Sequence, residues 1–216
     1  MTDTDPIVRT LAGQIASRIR ERILAGAYAP GSQLLQDSIA AQFGVSKIPV
    51  REALVHLRSE GLIDIHAHRG FQVRPLSRAE VEEVFNLRLA IEPDAVGRGA
   101  VVATPQDHLA AQKALTALNA AVAEHDLARS GDLNCAFHLA LIVPHQQPTT
   151  RDTLYRLHTV SERYVRLHLK PRGRSERATR EHTGLYRAWV AGEVSQARSA
   201  VQAHVARTRD EVLAAL

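Results

Sequence analysis

A chain of 216 residues is long enough for one large domain or two modest ones, and its 45% of apolar residues can fill a packed core. The net charge of +4 is compatible with a polyanionic partner but does not require one. The single Cys135 excludes an internal disulfide and suits a reducing cytoplasm, where we expect the protein to act. No apolar run approaches the ~20 residues of a membrane span, and the polar first residues are unlike a signal peptide.

Helical periodicity dominates the first third of the chain. Apolar residues recur at helical spacing over 8–25, and an extended link at 34–35 leads to a second predicted helix over 36–43. Gly44 follows at the position where a helix C-cap needs a positive φ. A third helix is predicted over 46–60. Helix, tight glycine turn and helix form the helix-turn-helix arrangement.

The third helix has polar and basic groups at its start. Ser46 is able to cap its first turn, and Lys47 and Arg51 lie beside it. These groups suit a phosphate backbone, because the N–H groups and the dipole of a helix N-terminus add to the attraction. An ordinary amphipathic surface helix remains the alternative for these residues alone.

Two short strands are predicted after the third helix, at 62–65 and 71–73, with a turn between them. Gly70 permits the tight turn, and Arg69 at its tip could enter a narrow minor groove. A hairpin of this kind after a helix-turn-helix is typical of a DNA-binding wing. A solvated hairpin loop is the alternative.

Residues 8–75 resemble the winged helix-turn-helix of the GntR family of bacterial transcription factors. The resemblance rests on the run from Gly44 to Leu54, supported by Glu60-Gly61-Leu62-Ile63 and Arg69-Gly70-Phe71-Gln72-Val73. It implies that five residues contact double-stranded DNA: Ser46, Lys47, Arg51, Arg69 and Gly70. The family often has Arg-Thr where this chain has Lys47-Ile48. The operator sequence therefore cannot be inferred from relatives.

The chain beyond residue 75 reads as helical throughout. Capping signals and helical periodicity predict an all-helical bundle of about six helices over 76–216. Pro93 is expected to kink or break the first of these helices, and Gly131 to separate two later ones. The predicted fold is therefore mainly α, with a winged helix-turn-helix domain in 1–75 and a helical bundle in 76–216.

Four polar residues of the predicted bundle suggest a metal site. Asn134 and His138 share one helical face, and His182 and His204 lie on later helices. Imidazole nitrogens suit Zn, Ni and other divalent transition metals. Hydrogen-bonded core histidines are the alternative. Three further histidines are expected at the surface: His145, His158 and His168.

The same stretch resembles the FCD domain, the all-helical effector domain of the FadR-like GntR subfamily. The matching segments are Leu87-Arg88-Leu89-Ala90-Ile91-Glu92, Asn134-Cys135-Ala136-Phe137-His138-Leu139-Ala140-Leu141, Glu181-His182 and Ala203-His204-Val205. The resemblance implies a divalent metal, Zn or Ni first, held by Asn134, His138, His182 and His204. Asn134 stands where the family usually has Asp, so the ligand set loses a negative charge.

The resemblance also implies an effector site. Arg88 is expected near the metal, where its guanidinium would hold a small carboxylate, and Arg163 and Tyr164 are further candidates for lining the cavity. The alternative for Arg88 is a weak ion pair with Glu92 on a helix surface.

Together these expectations describe a ligand-responsive transcription regulator. It would bind a palindromic operator as a homodimer, and a small carboxylate effector would relieve repression. Two alternatives stay open: a metal-dependent enzyme that uses the three-histidine site, and a structural-metal DNA-binding protein without an effector. The sequence offers no His-Glu-x-x-His or Gly-x-Ser-x-Gly motif for the enzyme.

Overall fold

The computed structural model describes residues 10–66, 70–142, 144, 146–168 and 174–216. It divides into two compact units, Met1–Leu76 and Ser77–Leu216. The first unit contains α1 (Leu11–Leu24), β1 (Gln33–Leu34), α2 (Gln36–Phe43), α3 (Lys47–Ser59), β2 (Ile63–His66) and β3 (Gly70–Val73). The second contains α4 (Arg78–Val102), α5 (Pro105–Ala123), α6 (Leu127–Ala140), α7 (Pro148–His168), α8 (Arg174–Val190) and α9 (Val194–Ala215). The fold class is mainly α, as predicted.

In the first unit, three helices pack beside a small antiparallel sheet of strand order β1-β3-β2. Gly44 adopts φ +65° at the end of α2, which confirms the predicted C-cap. The predicted link at 34–35 is extended, and Gln33 and Leu34 in addition pair with β3 as a third strand that the sequence did not predict. The side chain of Leu34 is buried in the core, which fixes the register of that strand.

The regular secondary structure described in the second unit is helical, and one predicted helix break is wrong. Pro93, which was expected to kink or break the first helix, does not break it, because α4 continues past this residue. Gly131 lies inside α6, which begins after the cap residue Asp126. A Cβ at position 131 would overlap the side chains of Glu162 and Arg166 on α7. Glycine here therefore lets the ends of these two α7 side chains lie directly against α6, and it does not mark a helix end.

Among the described residues, no helix combines the length and the apolar composition that crossing a bilayer requires.

Candidate functional site

Three buried histidines of the second unit meet at one point. His138 on α6, His182 on α8 and His204 on α9 are 0%, 4% and 8% exposed. The Nε2 atom of His182 lies 3.3 Å from the Nε2 atoms of both His138 and His204. The packing of three helices thus brings together nitrogen donors from distant parts of the sequence. We call this group the histidine centre.

Two glutamates orient the histidine centre from outside. Nδ1 of His138 is 2.6 Å from Oε1 of Glu92, and Nδ1 of His204 is 2.8 Å from Oε2 of Glu181. A carboxylate beside Nδ1 favours the proton on that nitrogen, which leaves the Nε2 lone pair facing the centre. Sequence reasoning missed both glutamates in this role. The only signal in the sequence was position: Glu92 lies four residues after Arg88, and Glu181 directly precedes His182.

Burial favours the neutral form of two of these histidines, His138 and His204. Burial lowers the pKa of His138 to about 4, although Glu92 acts in the opposite direction. Burial also lowers the pKa of His204, and the hydrogen bond to Glu181 offsets only part of this effect. Neutral imidazole is the form that binds a metal ion.

A hydrogen bond between imidazoles explains only half of this geometry. If the Nδ1 atoms of His138 and His204 carry protons, their Nε2 atoms are both acceptors. The Nε2 atom of His182 lies between them and can donate a proton to only one. A tetrahedral ion with ligands at 2.0–2.1 Å would hold nitrogens about 3.3 Å apart, as observed here. The donor set therefore fits a divalent transition metal.

Behind the histidine centre lies a fully buried carboxylate, that of Glu92 on α4. The Arg88 guanidinium donates to it from Nε at 2.9 Å and from Nη2 at 3.4 Å. Nε2 of His158 is 3.2 Å from Oε1 of Glu92. Burial alone would raise the pKa of Glu92, but Arg88, His158 and His138 together hold that pKa well below its ordinary value.

Two sequence expectations change at this cluster. The surface position predicted for His158 is wrong, because its side chain is 2% exposed and contacts Glu92. The side chains of the other two histidines of that group, His145 and His168, lie outside the described residues. The ion pair between Arg88 and Glu92 exists, but it is buried rather than on a helix surface.

Glu92, His138 and His158 form a second group of potential ligands. This second group has His138 in common with the histidine centre, but it would use the Nδ1 atom of that residue rather than Nε2. The two groups therefore cannot be told apart by His138 alone, but His182 belongs only to the first and His158 only to the second.

A cavity of about 110 Å³ opens beside the histidine centre. His182, His204, the half-buried Asn134 and the buried Arg88 line it together with Ser161. Arg88 donates from Nη1 to the Ser161 hydroxyl at 3.0 Å. The lining also includes apolar Leu118, Val122 and Val165 and the ion pair between Glu162 and Arg166. Because that pair leaves no net charge and Arg88 adds a positive one, the cavity suits a small organic molecule with an anionic group.

Arg163 and Tyr164 are buried on α7 but are not among the described residues that line this cavity. The Tyr164 hydroxyl donates to Glu80 and accepts from the backbone N–H of Ser77 at 3.1 Å. Burial and Glu80 raise the pKa of Tyr164 to about 12. The Tyr164 hydroxyl therefore ties α7 to the start of α4.

In the first unit, the start of α3 presents the polar groups singled out from the sequence. Ser46 is the N-cap residue, but its side chain makes no capping hydrogen bond. The Nζ atom of Lys47 is 2.5 Å from Oδ1 of Asp37 on α2, and Arg51 is exposed. Gly70 is exposed at the start of β3 with φ +70°. Arg69 lies outside the described residues.

A winged helix-turn-helix unit and a helical unit with a polar centre define a class of DNA-binding proteins that sense small molecules. The family model described as "Bacterial regulatory proteins, gntR family" matches residues 11–73, and the FCD domain model matches residues 83–207. The chain therefore belongs to the GntR family of bacterial transcriptional regulators and carries an FCD effector-binding domain.

Individual relatives agree with this assignment. The HTH-type transcriptional regulator McbR of Escherichia coli K12 is 30% identical over 132 residues, which are 61% of this chain and 60% of McbR. The HTH-type transcriptional repressor RspR of the same strain is 26% identical over 199 residues, 92% of this chain and 87% of RspR. The solved structure of E. coli McbR/YncC has the same fold, with a TM-score of 0.79, 24% identity and coverage of 95% and 97%.

We predict that the Arg88–Glu92 pair stabilises the second unit, in addition to the place of Arg88 in the cavity wall. In chelator-treated protein, Arg88→Met should lower the free energy of unfolding by about 3–5 kcal/mol, because it leaves a buried carboxylate uncompensated. Adding Glu92→Gln should recover much of this loss. Urea unfolding of the single and double variants measures both effects.

The matched control is Arg98→Met, which removes a more exposed pair with Asp94 at the same spacing on α4. It should cost less than about 1 kcal/mol. Equal losses for Arg88→Met and Arg98→Met would contradict the stability role of the buried pair.

Proposed function

We propose that this regulator is a cytoplasmic repressor whose affinity for operator DNA is controlled by a small carboxylate bound at a divalent metal. The observation that carries the proposal is the convergence of three Nε2 atoms beside a cavity that Arg88 also lines. A metal ion there would supply a positive charge and an open coordination position for an effector oxygen. Arg88 would orient the effector through its planar fork.

The DNA-binding part of the proposal rests on α3. Ser46, Lys47 and Arg51 would contact DNA at the start of this helix, and Arg69 and Gly70 would do so from the wing. A homodimer would set two such helices one DNA turn apart on a palindromic operator. Repression is proposed because RspR, related over most of the chain, carries the name of a repressor.

The metal part of the proposal assigns His138, His182, His204 and Asn134 as ligands, with Zn or Ni as the first candidates. A sensing role is favoured over catalysis because the nearby carboxylates are already engaged. Those of Glu92 and Glu181 contact histidine Nδ1 atoms, and that of Glu162 in the cavity wall accepts from Arg166. This leaves each of the three poorly placed to act as a general base on a bound water.

The effector part of the proposal assigns a small carboxylate to the cavity. Its binding would favour one arrangement of the helical unit over another, which changes operator affinity only if the two arrangements bind the effector differently. Arg163 and Tyr164 stay candidates for contacts that form when the effector binds. The Tyr164 hydroxyl already accepts a hydrogen bond from the backbone of Ser77, so such a contact would act on the start of this unit.

Arg51→Ala should weaken binding to an operator selected in vitro by about 1–3 kcal/mol, because it removes a charged contact at the start of α3. Fluorescence anisotropy at two salt concentrations measures this change, and wild-type affinity should fall steeply with salt. Arg58→Ala, an exposed arginine in the last turn of α3, is the matched control and should have a much smaller effect. Salt-independent binding would argue against phosphate contacts.

His182→Ala should abolish bound metal in elemental analysis of the purified protein, because it removes the central nitrogen of the histidine centre. His158→Gln should leave the metal stoichiometry unchanged, since this residue belongs only to the second group. The opposite pattern would move the metal to Glu92, His138 and His158. Unchanged metal in both variants would refute both assignments.

Small carboxylates should raise the thermal unfolding temperature of metal-loaded protein but not of chelator-treated protein. Arg88→Lys keeps a positive charge beside Glu92 and loses the bidentate fork, so this variant should retain bound metal and show a smaller shift. Equal shifts for the wild type and Arg88→Lys would remove Arg88 from the effector site.

A further inference from the structure

Ile48 is an unusual residue for its position. Its side chain is 71% exposed, the highest value among the large hydrophobic residues that the structure describes. It lies in the first turn of α3, directly after Lys47. The inward face of the same helix is fully buried and contains Val50, Ala53, Leu54 and Leu57. Ile48 therefore contributes nothing to the core of its own unit.

Helical spacing places Ile48 on the same outward face as Arg51, Glu52 and Val55. Arg51 follows one turn later, and Val55, which is 41% exposed, follows two turns later. An apolar side chain thus stands beside the basic groups at the end of the helix that would enter a major groove. Side chains at that end of a recognition helix reach base edges.

The chemistry of Ile48 selects its target on DNA. Isoleucine has no hydrogen-bond donor, so it gains nothing from a phosphate oxygen or from a purine acceptor. The one apolar group that a base pair presents in the major groove is the C5-methyl of thymine. We propose that Ile48 is a specificity-determining residue that reads a thymine methyl group in each operator half-site. This inference rests on the proposed DNA binding by α3.

The polar neighbours of Ile48 support the assignment of base reading to this apolar residue. Lys47 is partly neutralised by Asp37, and the Ser46 hydroxyl is not used as a cap. Arg51 and the helix N-terminus can attract the phosphate backbone whatever the sequence. Sequence discrimination at this position then falls to the apolar contact.

The experiment replaces thymine by deoxyuridine, which removes the methyl group and keeps every hydrogen-bonding group. An operator is first selected from random DNA with the full-length protein, and each thymine is then replaced in turn. At one position per half-site, wild-type affinity should fall about fourfold, as expected for the loss of one buried methyl group. Ile48→Ala should bind both forms of the operator equally, and Ile48→Val should retain part of the discrimination.

Val55→Ala is the matched control, because it trims an exposed apolar residue on the same face about 10 Å further along the helix. It should leave the discrimination at the Ile48 position unchanged. Two results would overturn this inference and leave the proposed function standing. One is a wild-type affinity that no thymine replacement changes, and the other is an Ile48→Ala variant that still distinguishes the two forms of the operator. Failure to select any operator would overturn the proposed function and the inference with it.

Discussion

The second unit depends on the charged and polar contacts that surround the buried carboxylate of Glu92. A charge with no solvent exposure is costly unless partners surround it, and Arg88, His138 and His158 do so here from α4, α6 and α7. The same carboxylate keeps the Nε2 atom of His138 facing the histidine centre, and the same arginine lines the cavity. In the proposed function, stability and ligand binding would therefore depend on the same side chains. Moving Arg88 toward a ligand would weaken its hold on Glu92, and this gives a bound effector a physical way to alter the packing of α4 against α7.

The first unit differs in where its proposed contact residues lie. Its core is apolar, and its buried Glu60 pairs with Arg20 and His56. Ile48 and Arg51 lie on the outer surface of α3, where they are exposed and take no part in the packing. In the proposed function, substitutions at these two positions would therefore change DNA recognition with little cost in stability. In the helical unit, by contrast, the residues of the cavity also hold the structure together. We expect the reading of DNA to diverge more readily than the chemistry of the sensor.

The parts that sequence predicted well are those fixed by local rules. The glycine cap at Gly44 lies where it was predicted, since φ preference depends on neighbouring residues. Ser46 is the N-cap residue of α3 as predicted, but its side chain makes no capping hydrogen bond. His138, His182 and His204 lie together as expected, although their role as ligands stays a prediction. The contacts of Glu92 and His158 could not be foreseen, because helical periodicity gives the inward face of each helix but not which residues of two helices meet. Gly131 misled for the same reason, since its role is to let α7 approach.

In the proposed function, the neutral amide of Asn134 makes metal binding and effector binding depend on each other through electrostatics. Three neutral imidazoles and a neutral amide leave the full charge of a divalent ion uncompensated by its protein ligands. Glu92 and Glu181 contact the outer nitrogens of the histidines and are themselves paired with arginines, Arg88 and Arg207 among them. An anionic effector would then supply the charge that an aspartate at position 134 would otherwise provide. Binding free energies are reciprocal, so a carboxylate that needs the metal must also tighten its binding. Asparagine in place of aspartate at position 134 would thus weaken the metal site and make the occupancy of that site depend on the effector.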